Sequence, residues 1–491
     1  MERRPLDLKD WQTQYDRKLI SLEAAAEVVQ SGDHVFLPNG YSGEMPHAIV
    51  ARSEALRDVK VSICAPGFDP GWLSEGMGES FDITTQVFLN LARAGHDEGR
   101  IQFLPYTVGT YFKPYTDDFR EKRPIDVFLM EVSPPDENGF CSFGWVAWEK
   151  RNYAKAAKTI IAEIDNHHIR SRGDTDIHIS EIDYLVDISA PPLAEDEADP
   201  LIIKFPPEEQ NHIRQIIQMR NPRGLRKAIA MAEDLEVSAL EIAWQLEEPT
   251  DVARTIAGHL KTLLRDRDTI QIGVGKPSKY MVELGVFDDL KDLGIFSEMA
   301  CPGMGFLVKR GIATGEYTSV HPGKAVFAGL LGMRETEVRW ANDNPLIELH
   351  RADYVVNIAN IARHRNMVSI NNVLQVDLTG QLTCETQFGP RLINGPGGQI
   401  EFHIGAFSAP GGRAISLLPS TWADGGVSTI VPHLEEGSLV SIPRVFADYV
   451  ITEWGIAQLA GRTHRERAKA LIQIAHPDFR DALEDAAKDI H

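Results

Sequence analysis

The stretch DTIQIGVG, residues 268–275, decides the fold class, because an apolar β-branched run passes directly into a glycine-rich turn. Such a run predicts a buried strand, and the glycines predict a turn where backbone N–H groups can approach a ligand. Comparable runs lie at 324–331, 354–359, 414–419, 428–432 and 448–453. Strands rich in Val, Ile and Leu that alternate with helical stretches indicate an α/β domain whose open sheet is covered on both faces.

The first half of the chain has the same pattern. Its strand candidates lie at 33–38, 59–65, 125–133, 157–164 and 184–189, and helix candidates at 21–30 and 46–56. Residues 190–250 differ, since an acidic, proline-containing loop leads into a charged helical stretch, which favours a helical arm over a binding lid. We therefore predict an N-terminal α/β domain over 1–205, a helical linker or insertion over 206–250, and a C-terminal α/β domain over 251–491.

Composition excludes several functional classes. The chain has 50 Lys and Arg against 71 Asp and Glu, a net charge of −21, which disfavours binding to nucleic acid or an anionic membrane. No apolar run approaches the length of a transmembrane helix, and the charged N-terminus lacks the apolar stretch of a secretory signal. The four cysteines form no CxxC pair. We expect a cytoplasmic protein with reduced cysteines and no nucleic-acid or membrane partner.

Metal and nucleotide motifs are missing from the sequence. It contains no HExxH, no paired-cysteine zinc pattern, no GxxxxGK[ST] and no GxGxxG after a strand. We therefore expect no metal and no tightly bound cofactor, and a two-substrate mechanism. Neighbouring His167 and His168 point in different directions, which disfavours a shared metal, and the patterns around His178 and His403 favour core or rim positions.

Four glycine-rich turns stand out in the second half, at 273–275, 395–398, 411–412 and 425–426. Each alone is typical of an ordinary tight turn. Because ligands bind at the carboxyl ends of strands in open α/β sheets, four such turns without a phosphate loop favour a large ligand with a pantetheine arm or phosphates.

Glu298 ends the apolar run GIFSEM, residues 294–299, directly before a turn. A carboxylate in that position is a candidate nucleophile or base, although a capping or solvated glutamate is the usual interpretation of one such residue. Cys301 is a rival nucleophile. No histidine pattern supports it, so an inert buried thiol is the default interpretation.

Seven stretches, taken together and in order, resemble the acetyl-CoA hydrolase/transferase family, whose members include 4-hydroxybutyrate, butyrate, acetate and succinate CoA-transferases. The resemblance runs from about residue 20 to 485. The stretches are VSPPDENGFCSFG (132–144), IRSRGDTDIHISEIDYLV (169–186), FSEM (296–299), SINNVLQVDLTGQ (369–381), GPGGQIEFHIGA (395–406), PSTWADGGVSTIVPHL (419–434) and DYVITEWGIAQLAGRTHRERAKALIQIAHPDFR (448–480).

The resemblance implies two CoA-transferase-type open-sheet α/β domains with the active site at their junction. It implies that Glu298 is the catalytic nucleophile, and that Asn357 and the backbone N–H of Gly397 or Gly398 stabilise an oxyanion. It also implies a homo-oligomer, either a dimer or a tetramer. CoA contacts are implied for Gly273, Val274, Gly275, Gly395, Gly397, Gly398, Gly405 and Ala406.

The implied function moves CoA from an acyl-CoA thioester to a small carboxylic acid by covalent, ping-pong catalysis. An acyl-glutamyl anhydride and a glutamyl-CoA thioester would form on Glu298. Acyl-CoA hydrolysis on the same scaffold stays open, because only water access separates the two activities. A non-catalytic CoA-binding protein is disfavoured, since Glu298, Asn357 and the GPGG turn are all present.

The sequence departs from the usual family pattern in several places, including Arg170-Ser171-Arg172, where PRT is usual, and a longer stretch around 206–250. Residues 300–303 read Ala-Cys-Pro-Gly where the family usually has Phe-Ser-Asp-Gly, and Trp454 stands where a Tyr is usual. The departure at 300–303 is next to Glu298, and we expect from it an unusual acyl or acceptor group.

Overall fold

The computed structural model describes residues 6–88, 90–117, 119–189, 203, 207, 210, 248–422 and 425–489. Its N-terminal part is built around a seven-stranded sheet in which every neighbouring pair is parallel, with the order β4-β3-β2-β1-β5-β7-β9. The strands of this part are β1 (His34–Leu37), β2 (Val59–Ile63), β3 (Phe81–Thr85), β4 (Ile101–Phe103), β5 (Val127–Val132), β6 (Phe140–Ser142), β7 (Thr159–Ile164), β8 (Asp176–His178) and β9 (Tyr184–Asp187).

The helices of this first domain are shorter than the sequence pattern predicts. The candidate at 21–30 forms a helix only over Leu22–Ala26, where the hydroxyl of Ser21 accepts the N–H of Ala24. The candidate at 46–56 forms a helix over Met45–Val50. The helices are α1 (Trp11–Lys18), α2 (Leu22–Ala26), α3 (Met45–Val50), α4 (Asn90–Asp97) and α5 (Lys150–Ala156).

The C-terminal part is built around an eight-stranded sheet with the order β13-β12-β11-β10-β14-β17-β21-β22, in which the terminal pair alone is antiparallel. Its strands are β10 (Thr269–Ile272), β11 (Gly294–Met299), β12 (Ala325–Gly329), β13 (Ile347–Leu349), β14 (Met367–Asn372), β15 (Gln375–Asp377), β16 (Leu382–Thr383), β17 (Arg413–Leu417), β18 (Thr421–Trp422), β19 (Val427–Ser428), β20 (Ile430–Val431), β21 (Tyr449–Thr452) and β22 (Gly455–Gln458).

The helices of this second domain lie before, between and after these strands. The end of the chain forms the last two helices, and Pro477 is the first residue of the second one. They are α6 (Asp251–Lys261), α7 (Met304–Lys309), α8 (Glu335–Trp340), α9 (Ala352–Val355), α10 (Ile358–Ala362), α11 (Gln399–Ser408), α12 (His464–Gln473) and α13 (Pro477–Ala487).

The strand predicted over 354–359 is wrong, because α9 ends and α10 begins within it. The apolar β-branched residues are typical of a strand, but Asn357 acts as a helix N-cap. Its Oδ1 accepts the N–H groups of Ala359 at 3.0 Å and Asn360 at 3.4 Å. The predicted strand at 428–432 is only partly correct, since it forms two short strands, β19 and β20.

Both sheets reverse their strand order beside their first strand. β1 lies between β2 and β5, and β10 lies between β11 and β14. In doubly wound sheets this switch point is where ligands bind, at the carboxyl ends of the strands. The predicted fold class of two open-sheet α/β domains is confirmed. Residues 206–250 lie outside the described residues except for 207, 210 and 248–250, so the helical linker and the boundaries at 205 and 251 stay predictions.

A buried apolar cluster joins the two domains, and each large side chain buried there contributes about 1.5–3 kcal/mol to stability. The backbone adds hydrogen bonds, since the N–H of Leu330 donates to the Trp145 carbonyl at 2.8 Å and that of Trp148 to the Ala328 carbonyl at 3.1 Å. The carboxyl end of β12, the strand beside β11, is therefore held against the first domain. The cluster includes Cys64, Val108, Tyr111, Val146, Trp148, Phe296, Val326, Val355 and Phe402.

Within the described part of the chain, each helix is too short or too polar to cross a bilayer.

Candidate active site

Glu298 is the next-to-last residue of β11, a strand that pairs with β10 on one side and β12 on the other. Side chains two residues apart in a strand share a face, so Glu298 points the same way as Phe296, which is buried in the cluster between the domains. Two buried groups of the first domain, the Cys64 thiol and the Tyr111 hydroxyl, have their pKa raised by burial and, to a lesser degree, by the charge of Glu298. The carboxylate therefore lies at the domain junction.

The backbone of Gly398 lies against this carboxylate. Its N–H donates a hydrogen bond to Glu298, and a Cβ at position 398 would clash with Oε2 of Glu298 and come within 2.7 Å of Cγ1 of Val356. Two residues that the sequence analysis assigned to the site are thereby brought together. The Gly398 N–H contacts the carboxylate of Glu298 itself, and its role in stabilising an oxyanion stays a prediction.

A second buried glutamate, Glu401, belongs to this site and was missed by the sequence analysis. It lies in the first turn of α11, where its carboxylate accepts hydrogen bonds from the hydroxyl of Thr107 and the N–H of Gly109. Its other oxygen, Oε2, is buried without a hydrogen-bond partner among the residues that the structure describes. If residues 399–408 had been recognised as a helix, the position of Glu401 three residues after Gly398 would have indicated that Glu401 belongs to the site.

The two carboxyl groups interact electrostatically. Burial first, and then the negative charge of Glu401, raise the pKa of Glu298 to about 8, while the hydrogen bond from Gly398 opposes the shift. Glu298 is half-buried, and its Oε2 lies against the backbone of Gly398. Free Glu298 is therefore mostly protonated at neutral pH, and its nucleophilic form increases as the pH rises through 8.

The first domain holds the GPGG turn that precedes α11. The N–H of Val108 donates to the carbonyl of Gly397 at 3.1 Å, and the guanidinium of Arg93 donates to the carbonyl of Ile393 at 2.7 Å. A Cβ on Gly395 would lie 3.2 Å from the ring of Phe103. These contacts hold the turn against the first domain, and Gly398 at its end lies beside Glu298.

Comparison with known proteins decides the family. The N-terminal and C-terminal domains of the acetyl-CoA hydrolase/transferase family match residues 3–192 and 334–487. The chain belongs to the acetyl-CoA hydrolase/transferase family. It is therefore an enzyme.

Similar proteins match over nearly their whole length. The 4-hydroxybutyrate coenzyme A transferase of Clostridium kluyveri is 32% identical, covering 96% of this chain and 98% of that protein. The succinyl-CoA:cyclohexane-1-carboxylate CoA transferase of Geobacter metallireducens is 30% identical, covering 98% and 97%. The crystal structure of 4-hydroxybutyrate CoA-transferase from Porphyromonas gingivalis has a TM-score of 0.70 and 25% identity, covering 98% and 99%.

Asn357, the amide donor that the family resemblance implies, is exposed at the start of α10. Its side-chain oxygen caps that helix, so the NH₂ group is the part that can donate to a ligand. The preceding residue, Val356, packs near Gly398, which places Asn357 close to the site along the chain. Its role in oxyanion binding stays a prediction.

The turn of Gly273, Val274 and Gly275 follows β10 and neighbours the end of β11. A Cβ on Gly273 would lie 2.6 Å from Oδ1 of Asn371, which explains the need for glycine there. Val274 is 42% exposed, so the turn presents an apolar side chain at the surface. The CoA contact predicted for this family turn stays a prediction.

Gly405 and Ala406 lie in the middle of α11, buried against α10. A Cβ on Gly405 would come within 2.5 Å of the Ile361 side chain, so close helix packing explains the small residues. The structure places the pair in a helix contact and not on an exposed surface, and the predicted CoA contact stays untested. The core or rim position predicted for His403 is confirmed, since the residue is buried in α11 with Nε2 2.9 Å from the carbonyl of Phe446.

Cys301, the rival nucleophile of the sequence analysis, is fully buried. Its thiol lies 3.3 Å from the carbonyl oxygen of Gly273, and burial raises its pKa. Because the thiolate is the nucleophilic form of cysteine, these surroundings favour the interpretation of an inert thiol. Glu298 is the stronger candidate.

Proposed function

We propose that this enzyme is an acyl-CoA:carboxylate CoA-transferase in which Glu298 is the nucleophile. The observation that carries the proposal is a carboxyl group at the carboxyl end of β11, at the junction of two domains, with the N–H of Gly398 donating to it. The names of the two similar proteins, both CoA transferases, support the reaction class.

The first half-reaction moves CoA onto the enzyme. A carboxylate oxygen of Glu298 attacks the thioester carbon, the C–S bond breaks, and an acyl-glutamyl anhydride and CoA thiolate form. The thiolate then attacks the side-chain carbonyl carbon of Glu298. The substrate acid leaves as a carboxylate, and a glutamyl-CoA thioester remains.

The second half-reaction reverses these steps with another acid. The incoming carboxylate attacks the glutamyl thioester and releases CoA thiolate, which then attacks the acyl carbon of the new anhydride. The new acyl-CoA leaves and the Glu298 carboxylate is regenerated. One thioester replaces another, so the exchange needs no external energy source.

Every tetrahedral intermediate in this sequence carries an oxyanion. The Gly398 N–H and the NH₂ of Asn357 are the donors that we propose for it, each contributing about 3 kcal/mol of transition-state stabilisation. CoA itself is proposed to extend along the glycine turns at 273–275 and 395–398 as a substrate, with no tightly bound cofactor. A cytoplasmic location and a homo-oligomer stay predictions.

The proposal is tested by trapping the covalent intermediate. The enzyme is incubated with acetyl-CoA and then with a panel of other acyl-CoA thioesters, and its intact mass is measured with and without borohydride reduction. We expect a CoA adduct that peptide mapping assigns to Glu298, that Glu298→Ala lacks and that Glu385→Gln retains. Glu385 is a suitable control because burial also raises its pKa, while the charges that shift Glu298 do not include it.

The outcomes separate the alternatives. Carboxylate-dependent loss of the adduct, with formation of a new acyl-CoA, supports transfer. Loss of the adduct to water alone, whatever acid is added, identifies an acyl-CoA hydrolase. CoA binding without any adduct from the panel contradicts the proposed nucleophile.

The pH dependence of the reaction should report the electrostatic repulsion between the carboxyl groups of Glu298 and Glu401. In the wild type, kcat/KM should rise with pH through about 8, since the carboxylate attacks and its pKa is raised. In Glu401→Gln one of the two causes of that shift is removed, so the rise should move to lower pH. Glu298 stays buried in this variant, so the midpoint of the pH profile should stay above the ordinary pKa of a glutamate.

The measurement is a pH profile of kcat/KM for the wild type, Glu401→Gln and Glu385→Gln. Glu385→Gln should leave the midpoint unchanged. An unchanged midpoint in Glu401→Gln, or a shift toward higher pH, would contradict the proposed coupling.

A further inference from the structure

Three side chains converge at the edge of the second sheet, two strands away from β11. Glu348 lies in the edge strand β13, His350 follows that strand, and His321 lies in the loop before β12. The Nδ1 atom of His321 is 2.9 Å from Oε2 of Glu348, and the Nε2 atom of His350 is 3.1 Å from the same oxygen. The three ligand-capable atoms lie within 4.8 Å of one another.

We propose that His321, Glu348 and His350 bind a divalent transition-metal cation of the zinc class, with water at the remaining position. Two imidazole nitrogens and one carboxylate oxygen are a ligand set that Zn²⁺ takes in proteins. Ligand atoms around a tetrahedral Zn²⁺ are about 3.3 Å apart, given bonds of about 2.0–2.1 Å. The two separations from Glu348 Oε2, 2.9 and 3.1 Å, need to open by only a few tenths of an ångström, and the two histidine nitrogens lie within 4.8 Å of each other.

A neighbouring hydroxyl orients one of the ligands. The Nε2 atom of His321 lies 2.9 Å from the hydroxyl of Tyr354, which leaves Nδ1 as the atom that faces Glu348. Partners of this kind fix the ring and the tautomer of metal-binding histidines. The three ligand side chains are about one-fifth exposed, so a cation and a water can reach them.

One positive charge opposes a bound cation, since the ammonium of Lys324 is 3.8 Å from Oε1 of Glu348. The two histidines contact the other carboxylate oxygen, Oε2.

The position of the site suggests a structural role. His350 directly precedes the N-cap of α9, and Tyr354 lies within that helix. This helix leads to Val356, which packs near Gly398. A cation would tie β13, the loop before β12 and α9 together, and it takes no part in the reaction proposed for Glu298.

The experiment uses the full-length protein, freed of metal with a chelator and then dialysed. One equivalent of ZnCl₂ is added, retained zinc is measured by mass spectrometry, and affinity by calorimetry; Co²⁺ absorption reports the ligand geometry. We expect one zinc per chain and a rise in the thermal midpoint on adding zinc. Glu348→Gln and His350→Ala should lose both effects, and Tyr354→Phe should bind roughly 10-fold more weakly.

The control is His433→Ala, which removes an exposed histidine elsewhere in the second domain and should bind zinc as the wild type does. Circular dichroism checks that each variant is folded, and Glu348→Gln preserves the shape of the side chain. Wild-type protein that retains no zinc, or equal retention in the wild type and both ligand variants, would overturn the proposal.

Discussion

Replacing Glu298 with glutamine should abolish CoA transfer, lowering kcat by roughly 10⁴-fold or more, as removal of a catalytic nucleophile does in other covalent enzymes. A glutamine has nearly the same shape and can still accept the hydrogen bond from Gly398. It has no carboxylate oxygen with which to attack a thioester. Because burial disfavours the charged form of Glu298, the neutral side chain should not destabilise the fold.

The measurement is the initial rate of exchange between an acyl-CoA and a carboxylate, alongside the rate of acyl-CoA hydrolysis. Both should disappear, since both activities are proposed to use the same carboxylate. The affinity for CoA and the thermal midpoint should stay near the wild-type values. An enzyme that has lost its nucleophile should retain less than about one percent of its activity. If Glu298→Gln retained more of the transfer rate than that, another residue would have to be the nucleophile.

Much of the fold could be predicted from the sequence because its strands are buried on both faces. The runs at 125–133 and 268–275 contain the strands β5 and β10, which are buried at every position, as is typical of parallel strands in covered sheets. The prediction failed where local capping competes with β-branched composition. At 354–359 a single polar side chain, Asn357, starts a helix inside an apolar run, and composition alone does not reveal that choice.

The site was predictable only in part. Glu298 and Gly398 were found through motif resemblance, and the structure brings them into contact. Glu401 was missed because its significance depends on long-range contacts, with Thr107 almost three hundred residues earlier in the chain. The cluster of His321, Glu348 and His350 has no local motif, since 27 residues separate its first two members. Contacts between residues that are far apart in the sequence follow from the topology of the fold and not from the spacing of residues within a motif.

The close approach of Gly398 to Glu298, the proposed nucleophile, makes this glycine the second position where a substitution should strongly lower activity. Its backbone has φ −98° and ψ 11°, which alanine adopts without strain, so the cost of Gly398→Ala is purely steric. The new methyl group would clash with Oε2 of Glu298 and lie 2.7 Å from Val356. The carboxylate must therefore move or lose its hydrogen bond, and a displacement of about 1 Å is enough to cost 10²-fold in rate.

We expect Gly398→Ala to lower kcat by roughly 10²-fold, with a much smaller change in the affinity for CoA. The matched control is Gly258→Ala on α6, where a Cβ meets no atom within 4 Å and activity should be unchanged. A raised KM with normal kcat would mean that the methyl group obstructs substrate binding instead of displacing Glu298. Wild-type kinetics in Gly398→Ala would show that the turn moves to accommodate the methyl group. The contact between Gly398 and Glu298 would then not position the proposed nucleophile.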